Sequence, residues 1–184
     1  MATTYSLVSE LERLANALAA TEGQAAAVEV PVASVAERIA KSMGVRNDEV
    51  AIMGLSTRWK HLYFIAPAAL KNVGYIPLSS NSALAARTAR ENRAEIVNNF
   101  AAVRHASVFE GVKIGNESAE AIQKIISAPI LAEDRVVGIL QISRKGSSAM
   151  NAGRDFTADE LEKVVALCKP LGKLLTHIAA DPDS

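Results

Sequence analysis

Two apolar runs late in the chain, Ile125–Leu131 and Val136–Ile142, are β-branched, of strand length, and separated by the polar triplet Glu133-Asp134-Arg135. So short a joint predicts an antiparallel hairpin. Both runs are too continuously apolar for a strand with one wet face, so they are expected at the centre of a sheet covered on both sides. Pro129 cannot donate to a ladder, which places its nitrogen at a bulge or an unpaired edge, and Gly138 invites close approach by another backbone or side chain.

The rest of the chain arranges itself around this hairpin. Leu7, Leu11, Leu14 and Leu18 recur at helical spacing and predict a helix over Tyr5 to Ala20. A small, polar connector follows at Thr21–Ala27. A second helix has Pro31 in its first turn, Val32, Val35, Ile39 and Met43 on one face, and Gly44 as its stop. Val50–Ser56 and His61–Ala66 read as neighbouring strands joined at Thr57–Lys60, and Gly74–Leu78 as a short third strand. Asn81 or Ser82 is placed to cap a helix ending near Glu91, followed by an extended piece at Glu95–Val97. Asn98–Ser118 has no clean period and is expected as loops around a helical turn near Ala102–Phe109, the kind of segment that carries function. Gly146–Asp155 is rich in Ser, Gly and Asn and reads as an exposed loop. Thr157-Ala158-Asp159-Glu160 is a capping box. The helix it opens carries Leu161, Val164, Cys168, Leu171, Leu175 and Ile178 on one seam, widened by Val165, Leu167 and Leu174. Pro170 inside it is expected to kink it. Terminal helices around a mostly antiparallel sheet make an α+β domain.

Charge and composition remove several classes of function. Lys+Arg and Asp+Glu both number 20, which leaves no basic excess for nucleic acid and no polybasic stretch for an anionic membrane. Apolar residues are 49% of the chain, yet no run reaches bilayer length and no secretory signal opens it, so a cytoplasmic protein is expected. The single cysteine, Cys168, fits that compartment. His61, His105 and His177 are far apart and only Cys168 offers sulfur, so no metal set is expected. There is no Gly-x-Gly-x-x-Gly, no Walker loop and no evident nucleophile–base pair. His105, between Arg104 and Phe109, is the histidine of interest. A plain loop residue is the bland reading and a ligand contact the sharper one.

One resemblance gathers these pieces. Tyr75-Ile76-Pro77-Leu78, Ser82–Arg90, Ala94–Asn99, Ser127-Ala128-Pro129-Ile130, Val137-Gly138-Ile139-Leu140 and Asp155–Leu161 occur in an order and spacing that resemble the GAF domain, a ligand-binding and dimerising module of sensors. The likeness spans roughly Pro31 to His177. It implies a GAF-like fold: a central antiparallel sheet, terminal helices on one face, and a small-molecule pocket enclosed by mid-chain helix and loops on the other. It also implies that residues 1–30 are a helix and connector for dimerisation, that residues 31–180 are the domain and that 181–184 are a tail. The Leu7–Leu18 seam suits a parallel dimer bundle. Cys168 lies on the apolar face of the last helix, which argues against covalent bilin attachment. The pocket cysteines of the free methionine sulfoxide reductases are missing, as is the Asn-Lys-Phe-Asp-Glu set of cyclic-nucleotide regulators. The family's frequent Asn-Asp pair stands here as Asn98-Asn99.

The resemblance therefore implies a non-catalytic sensor that binds a small molecule, works as a homodimer and reports to a separate signalling partner, with no cofactor specified. The candidate ligand contacts are Asn98, Asn99, Phe100, Arg104, His105 and Phe109, with Tyr75 and Ser127 from the sheet; Arg104 is the one suited to an anionic group. The alternative is a dimeric structural protein whose pocket is filled by its own side chains.

Overall fold

A computed structural model describes residues 3–20, 32–102 and 120–178. In chain order the elements are α1 (Thr3–Ala20), α2 (Val32–Met43), β1 (Val50–Ser56), β2 (His61–Ala66), β3 (Tyr75–Pro77), α3 (Leu84–Glu91), β4 (Glu95–Val97), β5 (Ala121–Ala132), β6 (Arg135–Gly146) and α4 (Ala158–Ile178). The strands form one sheet in the order β3-β2-β1-β6-β5-β4, and every pair is antiparallel.

The expected hairpin is present and longer than its apolar runs. Glu133 and Asp134 form the turn, both in the left-handed region at φ 49° and 62°, so Ala132 pairs with Arg135 across two residues, and the ladder is interrupted by bulges at Val137 and Gln123. Two consecutive left-handed residues give the turn a twist that matches that of the strands. β4 begins at Glu95, opposite Ser127, so Pro129 lies beyond its end, at the edge its missing donor requires. The register sorts the side chains. Ile126, Ala128, Ile130, Leu140 and Ile142 join the core under the terminal helices. Ile125 and Ile139 join Met53, Leu62 and Phe64 in a second core on the opposite face. The hairpin is thus apolar on both sides because it is covered on both sides.

α1, α2 and α4 cover the first face. Thr4 and Val8 lie beside Asp159 and Glu162, while Ala15 and Ala19 lie near Lys169 and Lys173, so α1 and α4 run parallel. The leucine seam of α1 is not left for another subunit. Leu7, Leu11 and Leu18 are buried within this chain's own core and Leu14 packs against it. Periodicity identified the apolar face correctly, but its partner is intramolecular. Arg38 of α2 pairs with Glu10 of α1 at the surface.

Local signals were mostly obeyed. Gly44 ends α2 at φ 65°. Thr157 and Glu160 form the capping box: the Glu160 N–H donates to Thr157 Oγ1 at 3.3 Å and the Thr157 N–H to Glu160 Oε2 at 2.9 Å. α4 runs unbroken through Pro170, which is buried. α3 starts later than expected and lacks a cap at its first residue. Instead, Ser80 Oγ accepts from the Ala83 N–H at 3.1 Å, and Asn92 closes the helix in the left-handed region.

Gly138 and Gly172 set how closely the layers meet. A Cβ on Gly138 would stand 2.3 Å from the Met53 carbonyl oxygen, and one on Gly172 only 1.8 Å from that of Leu131. α4 therefore crosses the end of β5 with backbone against backbone. In an open helix, Gly→Ala stabilises by up to about 1 kcal/mol; here the added methyl has no room. We expect Gly172→Ala to lower stability by roughly 2 kcal/mol or more, read as a fall in the urea midpoint.

Candidate functional site

α3 lies over β5 and β6 on the face away from the terminal helices. It is fastened to β4 by a two-pronged ion pair: Arg87 Nε and the Arg87 terminal nitrogen each donate to Glu95 at 3.0 Å. Under α3 a chain of polar groups crosses an apolar floor. Gln141 Nε2 donates to Ser127 Oγ at 3.1 Å, Ser127 and Thr88 share a bond of 2.7 Å, and Thr88 Oγ1 donates to the Leu84 carbonyl at 3.0 Å. With Thr88's one proton committed to Leu84, the Ser127 hydroxyl is the donor in the middle bond. All three side chains are buried, on the face whose core holds Met53, Phe64, Phe100, Ile125 and Ile139.

The sequence-derived candidates do not gather at one point. Ser127 and Phe100 are on this face, Ser127 in the polar chain and Phe100 buried in its core. Asn99 is exposed in the turn before Phe100. Tyr75 does not belong with them. It pairs with Tyr63, which faces the terminal helices, and it stacks on His61 at a ring separation of 4.2 Å. β3 is also four strands from β5, roughly 19 Å away at the usual strand spacing. Tyr75 and Ser127 cannot line one small cavity. Arg104, His105 and Phe109 lie outside the described residues.

Asn98 holds the segment to the last helix. Its amide nitrogen donates to the Phe156 carbonyl at 3.1 Å, and its amide oxygen accepts from the Phe156 N–H at 2.9 Å. The side chain thus imitates one rung of a ladder, tying the end of β4 to the residue before the α4 cap. The strand side of this junction is charged and buried. Arg144 lies over the Phe156 ring at 4.0 Å, donates to the Arg154 carbonyl at 2.8 Å and pairs with Glu160 at 2.9 Å. Lys124, also buried, donates to the Gly153 carbonyl at 2.6 Å and pairs with Asp155 at 2.8 Å. Sequence reasoning found Glu160 as a cap but missed Arg144 and Lys124. The signal was weak, because each charge sits at the polar end of its strand, Lys124 beside Gln123 and Arg144 beside Lys145. Among the described residues, no group of three His, Cys, Asp or Glu side chains is placed to hold a metal.

A six-stranded antiparallel sheet between a terminal-helix layer and a pocket-side helix is the architecture the resemblance implies, and a family model described as GAF domain matches residues 28–175. The chain belongs to the GAF domain family. Solved GAF structures share the fold at low identity. The GAF domain of an Acinetobacter phosphoenolpyruvate-protein phosphotransferase matches at TM-score 0.64 and 15% identity, over 96% of this chain and 95% of that one. Free methionine-R-sulfoxide reductase from Neisseria meningitidis, in complex with its substrate, matches at 0.61 and 15%, over 95% and 89%. Residues 122 to 287 of a methyl-accepting chemotaxis protein match at 0.61 and 12%, over 93% and 96%. No curated protein matches the chain by sequence. α1 lies wholly ahead of the GAF match, although its leucines complete the core.

Burial alone would raise the Glu160 pKa. The bonds from Thr157, Arg144 and Arg154 outweigh it and hold the carboxyl below its ordinary value of 4.5. A carboxylate depressed on folding adds stability above its unfolded pKa and loses it as pH falls through the folded one. This GAF domain should lose stability as pH drops below 4.5, and Glu160→Gln should flatten that part of the pH profile, measured by thermal melts. At neutral pH, Glu160→Ala leaves Arg144 buried without its carboxylate and should cost about 3 kcal/mol. Arg154→Ala, removing a mostly exposed partner, should cost about 0.5 kcal/mol.

Proposed function

We propose that this GAF domain is a non-catalytic sensor or regulatory module, acting as a homodimer in the cytoplasm and holding a small molecule on the face covered by α3. The observation that carries the reading is the double hydrogen bond between Asn98 and Phe156. It ties the start of the 98–119 segment, which contains Arg104, His105 and Phe109, to the residue just ahead of the α4 cap. A guest held by that segment would favour one setting of α4 over another, and differential affinity for the two settings is the whole of the signal. The output then passes to a separate partner.

The thiol chemistry supports a role without catalysis. Cys168 is the chain's one cysteine, it is buried, and burial pushes its thiol far above the ordinary range. A thiol kept protonated is a poor nucleophile. The second reading, a dimeric structural protein with a self-filled pocket, draws on the way Met53, Phe64, Phe100, Ile125 and Ile139 pack that face.

Thermal melts against a panel of nucleotides, amino-acid derivatives and other metabolites separate the two. A ligand raises the melting temperature saturably, by an amount set by its concentration over its dissociation constant. Hydrogen exchange then reads the coupling: ligand should change protection in residues 158–178 of the wild type, and Asn98→Ala should abolish that change. A panel that stabilises nothing favours the structural reading.

A further inference from the structure

The sheet ends at β3, and three of the seven large apolar side chains exposed among the described residues lie along that end. Val73 and Tyr75, just before and at the start of β3, are 38% and 45% exposed, and Trp59 in the β1–β2 turn is 52% exposed. The Leu78 N–H donates to the Lys60 carbonyl at 2.9 Å, which brings that turn against the far end of β3. The row from Val73 to the turn is therefore roughly 17 Å long, the span of about five extended residues. Two of its rings are held in place. Tyr75 stacks on His61 at 4.2 Å, and the Arg58 guanidinium lies 4.9 Å from the centre of the Trp59 ring. Rings fixed before contact lose little freedom on binding, and Trp, Tyr and Arg are the side chains that dominate protein interfaces.

The charges beside this row are of one sign. No Asp or Glu occurs between Glu49 and Glu91, a stretch that supplies β1, β2, β3 and most of α3. Its cations are Arg58, Lys60, Lys71, Arg87 and Arg90. Arg87 is bound to Glu95, and Arg90 donates to the Leu78 and Ser80 carbonyls. Arg58, Lys60 and Lys71 are exposed, and none of the three forms an ion pair among the described residues. Two of them flank Trp59, and the third lies two residues before Val73. The acidic turn at Glu133 and Asp134 joins β5 to β6, and β6 is two strands from β2. In a chain with no net charge, this edge is a local positive field with aromatic anchors in it. An extended segment bearing several carboxylates complements both features. Single-stranded nucleic acid would find too few cations here, since its affinity grows with the number of phosphates neutralised. A membrane is poorly matched as well, because clusters of about four to eight cations are what read anionic lipid.

We infer that the β3 edge is a docking surface for an acidic, extended segment of a partner protein, with Trp59 and Tyr75 as its anchors and Arg58, Lys60 and Lys71 pairing with the partner's carboxylates. The inference rests on the proposed function only for the existence of a separate partner, and it holds whether or not a small molecule is bound beneath α3. The surface lies at the opposite edge of the sheet from β4 and the Asn98 junction.

Selection of a phage-displayed random dodecapeptide library on the folded protein tests it without fixing a sequence in advance. The enriched peptides should be acidic and carry at least one large apolar residue. Fluorescence anisotropy of a labelled enriched peptide should show binding that weakens as salt is raised. Arg58→Glu/Lys60→Glu/Lys71→Glu and, separately, Trp59→Ala should each weaken it about tenfold or more. Lys169→Glu, which reverses an exposed charge on α4, should leave it unchanged. Far-UV circular dichroism confirms that each variant is folded. Enrichment without an acidic bias, no enrichment at all, or acidic peptides bound equally by every variant would overturn the inference. So would oligothymidylate, or vesicles rich in phosphatidylserine, binding through these residues where acidic peptide does not. Each of these results leaves the ligand reading to be judged separately by thermal melts against metabolites.

Discussion

The register of the β5–β6 hairpin governs the rest of the structure. Side chains alternate along a strand, so a slip of one residue would exchange its two faces. Ser127 and Gln141 would then face the terminal helices, and Ile126 and Ile142 would be pressed against α3. The two-residue turn at Glu133 and Asp134 and the bulge at Val137 together prevent this: the turn pairs Ala132 with Arg135, and the bulge shifts the register by one so that Ile130 stands opposite Gly138. β1 then adds to β6 with Ile52 beside Leu140, carrying the same alternation across the sheet. Both cores inherit their composition from that turn and the bulge beside it.

Much of this was legible because it is local. Strand positions follow from continuous β-branched apolar runs and helix positions from a period of 3.6 residues, Pro129 announces an edge, and Thr157 with Glu160 announces a helix start. The order of these pieces was enough to indicate the fold. What was not legible concerns partners. Periodicity shows that Leu7, Leu11 and Leu18 face something apolar, but it does not say whether that surface is on the same chain; here it is. Tyr75 lies in a strand of three residues, too short for alternation to reveal its face, and the register with Tyr63 settles it.

The candidate site was harder still. Ser127 and Phe100 were placed on the correct side of the sheet. Asn98 was read as a ligand contact because it stands where the family's Asn-Asp pair falls, at the start of the pocket-side segment. The structure spends both its amide donor and its amide acceptor on the Phe156 backbone, 58 positions away. Arg144 was passed over because a charge near a strand end normally reaches solvent. Here the chain returns as Arg154–Glu160 and closes over it. Contacts of that separation leave no trace in spacing.

The clearance at Gly172 has a mechanical consequence. With its backbone against Leu131, α4 has a fulcrum about two thirds of the way along its length. At 1.5 Å per residue the arm toward Ala158 is about 21 Å and the arm toward Ile178 about 9 Å. A tilt of the helix about that point swings the two ends in opposite senses, with the far end travelling less than half as far. A displacement that tilted α4 from its Phe156 end would arrive at the other end reversed in direction, reduced in distance and increased in force.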